Sequence, residues 1–139
     1  MKSLFLMLVL FGLNNLLFAQ SRLEVIVKGI KNDKGSIRVG IFNDKKEFLE
    51  AATYGQIVKS NLGEVKVIFS DIPPGTYALS VVHDENENGK LDSGMFGIPK
   101  EGFGFGNDAM GTFGPPTFDK ASVVIETGRM QVNISMRYL

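Results

Sequence analysis

The sequence predicts an all-β fold, an antiparallel sandwich of about seven short strands, with one short helix and one long ordered loop. Three observations predict it. Apolar residues alternate with polar ones in short runs, as in Leu23, Val25 and Val27 or Val132, Ile134 and Met136. Turn chemistry separates the runs, as in Asn32-Asp33-Lys34-Gly35 and Pro73-Pro74-Gly75. No long run carries the periodicity of a helix.

The elements follow in order. Leu23 to Val27 is a half-buried strand, and Lys31 to Gly35 is suited to a hairpin turn into Ile37, Val39 and Ile41. Asp44 and Glu47 form a capping pattern before Phe48 and Leu49, which places the short helix there. Gln56 to Lys59 is a weak strand. Asn61-Leu62-Gly63 turns the chain into a stronger one through Val65, Val67 and Phe69. After the rigid Asp71 to Gly75 connection, Tyr77, Leu79 and Val81 mark the central strand. From Asp84 to Lys120 no period is evident. Phe96, Phe103, Phe105, Phe113 and Phe118 are spread through this stretch and argue for a folded excursion rather than disorder. Ala121 to Glu126 and Val132 to Met136 complete the strands.

The chain has 139 residues and suits one domain at 20–139 behind a signal peptide at 1–19. Lys2 is the charged start of that leader, Leu4 to Leu13 its apolar centre and Ala19 the cleavage residue. Asn14 and Asn15 interrupt the apolar run, so no stable transmembrane segment is expected after cleavage. The expected location is therefore periplasmic or secreted. Loss of Lys2 from a balanced 15 basic and 15 acidic side chains leaves a net charge of −1. That near neutrality argues against a nucleic-acid partner. The absence of cysteine excludes disulfides, thiolate zinc sites and thiol chemistry.

The stretch with the most chemistry is His83 to Asp92. Asp84, Asn86 and Asn88 alternate, Gly89 follows, and Asp92 lies three residues on. This is the oxygen-ligand spacing of a calcium loop, D-x-[DN]-x-[DN]-G, with Lys90 offering its backbone carbonyl. Hard oxygen donors on a flexible loop point to calcium as the ion. The twelfth position, where an EF-hand has its bidentate glutamate, is Met95, and no flanking helix is expected. Glu101 is the expected replacement in the ligand set. A competing reading is a solvated Asn/Asp/Gly turn with no ion.

Other groups weigh less. His83, the sole histidine, lacks an evident catalytic constellation and reads as structural. Gly102-Phe103-Gly104-Phe105-Gly106 lacks phosphate-loop spacing and reads as close backbone packing between aromatics. Exposed phenylalanines of this stretch are also candidates to line a ligand groove. Glu101 and Asp108, or Asp92, supply the carboxylates that a glycoside-cleaving enzyme would need. Asn133-Ile134-Ser135 is a sequon inside a strand and carries no weight.

Four ordered motifs resemble a known family. They are Ile72-Pro73-Pro74-Gly75-Thr76-Tyr77-Ala78, the His83 to Asp92 stretch, Gly97-Ile98-Pro99 through Phe105, and Gly114-Pro115-Pro116 with Phe118. Together they resemble the exported bacterial family known as domain of unknown function 2141. That resemblance implies an exported domain and no established activity. The Pro73 to Tyr77 stretch is also similar to transthyretin-like (prealbumin-like) and carboxypeptidase-regulatory-like sandwiches, which bears on fold alone. The expected function is an exported binding or accessory module with a calcium loop and a protein or carbohydrate ligand of the cell envelope. An envelope-carbohydrate enzyme is the alternative, and a non-enzymatic role is favoured.

Overall fold

The computed structural model describes residues 21–91 and 99–139. The expected leader, and Asp92 with its neighbours through Ile98, lie outside the described residues. The fold is all-β, with eight strands in two sheets. They are β1 (Arg22–Ile30), β2 (Ser36–Phe42), β3 (Tyr54–Lys59), β4 (Gly63–Ser70), β5 (Gly75–Asp84), β6 (Phe103–Phe105), β7 (Ser122–Ile125) and β8 (Arg129–Ser135). No described helix is long and apolar enough to cross a membrane.

One sheet has the order β4-β1-β8. The other runs β3-β2-β5, and the free edge of β5 is shared by β7 along Gly75 to Ala78 and by β6 along Ser80 to Val82. The pairs are antiparallel except β1 with β8, which run parallel in register from Arg22↔Arg129 to Lys28↔Ser135. Between the sheets lies the main core. Leu23, Val25 and Val27 of β1, Val67 and Phe69 of β4, and Val132 and Ile134 of β8 face Ile37, Val39 and Ile41 of β2 and Leu79 and Val81 of β5. The alternation read from the sequence is this set of inward side chains. Burying each one stabilises by about 1.5–3 kcal/mol.

The expected short helix or helical turn is present after Asp44. Lys45–Glu47 forms a single 3-10 turn, with the Asp44 side chain accepting the Lys46 N–H at 2.9 Å. Leu49 has φ 67°, a left-handed conformation that stops helix growth two residues later.

The eighth strand falls in the aperiodic stretch. Its glycines permit close approach: a Cβ on Gly104 would stand 2.7 Å from Ile134 Cγ2, and one on Gly106 would overlap the Ala121 carbonyl oxygen. With β6 pressed this closely, Phe103 and Phe105 turn to the outer face of the five-stranded sheet. There they join Phe42, Ala78 and Ala121 in a second core, with Phe48, Met110 and Phe118 packed against it. Both faces of β5 are thus covered over part of their length, which is why Tyr77 to Val82 is almost continuously apolar.

Candidate functional site

The loop after β5 is tied together by its own side chains. Asp84, fully buried, accepts the N–H of Asn88 at 3.2 Å on Oδ1 and the N–H of Gly89 at 2.8 Å on Oδ2. Asn86 Oδ1 takes the same Asn88 N–H at 3.3 Å, and Asn88 Oδ1 takes the N–H of Lys90 at 2.9 Å. Asp84 and Asn86 share one donor. Their side-chain oxygens therefore lie close together. Glu87 at φ 56° and Gly89 at φ 77° supply the left-handed turns that wind the loop back.

The surroundings of Asp84 were not legible in the motif. Arg38 lies diagonally across the β2–β5 register, in which Ser36 pairs with Asp84 and Arg38 with Val82. Its Nε is 3.3 Å from Asp84 Oδ2, so the buried carboxylate already has a positive neighbour. Glu101 is also buried and accepts the Glu85 N–H at 2.6 Å, which sets it against the start of the loop. Glu85 turns its own carboxylate to Asn32, whose Nδ2 donates to it at 2.6 Å. Among the described residues no group of three or more His, Cys, Asp or Glu side chains is placed to hold a metal. The expected ligand set relies instead on the amides of Asn86 and Asn88 and the carbonyl of Lys90.

His83 closes one end of the main core. Its Nε2 donates to the Lys34 carbonyl at 2.7 Å, and its Nδ1 accepts from the Tyr138 hydroxyl at 2.8 Å. The carbonyl can only accept, which fixes the proton on Nε2. Tyr138 in turn accepts the Lys31 N–H at 3.2 Å. Burial pushes the Tyr138 phenol up from 10.0, the nearby Glu85 charge adds to this, and the Lys31 N–H opposes it. Asp108 accepts the Ser135 N–H at 2.8 Å, at the end of a 3-10 turn (Gly106–Asp108). The histidine thus bonds structurally, and Glu101 and Asp108 each hold a backbone N–H group.

The outer face of the five-stranded sheet carries a feature that no motif announced. Gly55 of β3, Gly40 of β2 and Ser80 of β5 pair in one row across three strands. The Phe42 ring lies over Gly40, 3.0 Å from where a Cβ would stand, and Gly55 beside it leaves a recess in the sheet surface. Phe105, the next in that row, stands at its end. The recess opens into a cleft of about 1120 Å³, walled by Phe42, Phe103, Phe105 and Met110 and bounded by Arg38 and Lys90. Leu49, Ile57, Phe113 and Leu139 also line it, and these are four of the seven exposed large apolar side chains among the described residues. Pockets that take small ligands have volumes of about 300–1,000 Å³ and mostly apolar walls. The signal in the sequence was a set of small residues at outward positions of three strands, which means nothing until the register aligns them.

No curated protein and no solved structure matches this chain. The family model described as an uncharacterized protein conserved in bacteria, domain of unknown function 2141, matches residues 25–133. That span runs from within β1 to within β8 and includes the loop, the recess, the second core and most of the main core, so the chain belongs to this bacterial family.

Proposed function

We propose that the protein is an exported binding or accessory module of the periplasm or extracellular space, delivered by a leader at 1–19. Its ligand lies in the cleft on the outer face of the five-stranded sheet. The loop beginning at Asp84 takes a calcium ion at one end of that cleft. Asp84, Asn86, Asn88 and the Lys90 carbonyl are the proposed donors, with Asp92 and Glu101 completing the shell. Gly89 and Lys90 belong to both loop and cleft.

The observation that carries this reading is the recess itself. A sheet face covered by a folded excursion would ordinarily fill with side chains, because interiors pack densely. Here Gly55 leaves room, with the Phe42 ring over Gly40 as a wall, and apolar side chains stay exposed around it. The carbohydrate-enzyme alternative receives less support. Two of its carboxylates, Glu101 and Asp108, are each engaged by a backbone N–H group, and the third, Asp92, lies outside the described residues.

The test uses N-phenyl-1-naphthylamine, a neutral fluorophore that brightens in apolar sites. The wild-type protein should give saturable enhancement. Gly55→Leu should abolish it while melting stays unchanged, because only the Val39 carbonyl oxygen, at 3.9 Å, lies near a Cβ placed there. No saturable signal from the wild type, or an undiminished one from Gly55→Leu, would remove the cleft from the proposal.

A further inference from the structure

We infer that the cleft's ligand is a free single-chain amphiphile with one anionic head, its apolar body along Phe42, Phe103 and Phe105 and its head at Arg38 and Lys90. The inference rests on the cleft reading and adds the ligand's chemistry.

Charge makes the argument. Among the described residues, the cleft is lined by two basic side chains and by no acidic one. Both basic groups border the same end, where the loop turns at Gly89 and Lys90. The Arg38 guanidinium is partly exposed, and its terminal nitrogens would lie 3.8 Å from a Cβ on Gly89. Its Nε is buried without a hydrogen-bond partner, although Asp84 is close by. Both Asp84 oxygens already accept N–H groups of the loop. The guanidinium therefore has donors to offer, since it carries five N–H groups and pairs with one acid, Asp84, among the described residues. A carboxylate or similar oxyanion matches that fork.

The remaining walls set the body of the ligand. The recess is apolar, with the Ser80 side chain on its floor and Thr112 among its lining residues, while Gln56 turns its amide to the Ile68 carbonyl of the other sheet. One slim hydrocarbon chain fits a floor at Gly55 and Ser80 beside the Phe42 ring better than a polar sugar would, because a sugar needs hydrogen-bond partners for each hydroxyl.

The experiment compares sodium dodecanoate with 1-dodecanol, equal in chain length and different in charge, by displacement of N-phenyl-1-naphthylamine. Dodecanoate should compete about tenfold better at low salt, as a charge-assisted hydrogen bond predicts. Lys90→Gln, a change at an exposed position, should reduce that preference about twofold to threefold. The double variant Arg38→Gln with Asp84→Asn removes both members of the buried pair together and should bring the two ligands level. Equal competition by both ligands on the wild type overturns this inference and leaves the cleft reading standing. So does a preference that survives in both variants. If the double variant fails to fold, Lys90→Gln decides alone. Failure of both ligands to displace the fluorophore overturns the amphiphile, while failure of the fluorophore and of both ligands to bind overturns the cleft as well.

Discussion

Asp84→Ala tests whether the loop is anchored as described. The substitution removes two charge-assisted hydrogen bonds, to Gly89 N–H at 2.8 Å and to Asn88 N–H at 3.2 Å. Hydrogen bonds to charged groups contribute about 1.5–3 kcal/mol each. Asn88 and Gly89 are exposed, so water replaces the lost acceptor, and the lower end applies to the longer bond. Arg38 also loses its counter-charge; its side chain is partly exposed, so that adds about 0.5–1 kcal/mol. The expected destabilisation is about 4 kcal/mol. With an unfolding entropy of about 2.1 cal/mol/K per residue, melting should fall by roughly 16 °C. Urea denaturation of wild type, Asp84→Ala, Arg38→Met and the double variant measures it. The cycle should return a coupling of about 0.5–1 kcal/mol between Arg38 and Asp84. A loss below about 0.5 kcal/mol in Asp84→Ala would refute the anchoring argument.

Three further outcomes are expected. Calcium at about 2 mM, with a dissociation constant of about 0.1 mM, stabilises by about 1.8 kcal/mol and should raise melting by roughly 5–10 °C. Glu85→Ala, whose carboxylate bonds Asn32, should keep that shift and Asp84→Ala should lose it; an unchanged wild-type melt in calcium removes the ion from the proposal. Tyr138→Phe should destabilise by about 1–2 kcal/mol, because Nδ1 of buried His83 loses its donor. The raised phenols of Tyr138 and Tyr77 contribute stability that is full below their ordinary 10.0 and is lost as pH rises through the folded values. Alkaline unfolding followed by tyrosine absorbance should therefore set in above pH 10 and be blunted in Tyr138→Phe; a melt flat across that range contradicts it. Asn107→Ala should cost about 2 kcal/mol, since it removes donors to the Lys120 and Ser122 carbonyls and leaves a side chain at φ 59°. Asn107→Gly should cost less, and the order of the two in urea checks the assignment.

Much of the fold was legible because a half-buried strand writes itself as alternation. Leu23 to Val27, Ile37 to Ile41, Val65 to Phe69 and Val132 to Ile134 each name their own inward face. Phe103–Phe105 could not be read this way, since three residues between glycines hold no period. Nor could the parallel pairing of β1 with β8, because β8 comes last in the chain and its partner is decided by what remains unpaired at the edge of β1. The short helix or helical turn expected at Asp44 is a single turn for a local reason. A capping pattern specifies where a helix begins, and the left-handed Leu49 decides how soon it stops.

The site divides along the same line. Asp84, Asn86, Asn88 and Gly89 were readable because the contacts that close their loop span two to five residues, so spacing alone carries them. Arg38 was not readable, since 46 positions separate it from Asp84 and only the β2–β5 register makes them neighbours. The same register creates the recess, by bringing Gly40 beside Ser80 while the β2–β3 pairing brings Gly55 beside Gly40. A slip of one residue in either pairing would put alternate side chains on the other face and fill it. The two registers are held from the opposite face, by Ile37, Val39, Ile41, Leu79 and Val81 buried between the sheets. The core that stabilises the sandwich therefore also fixes the row of small residues on its outside, and substitutions in that core that shift a strand should reach the cleft without touching it.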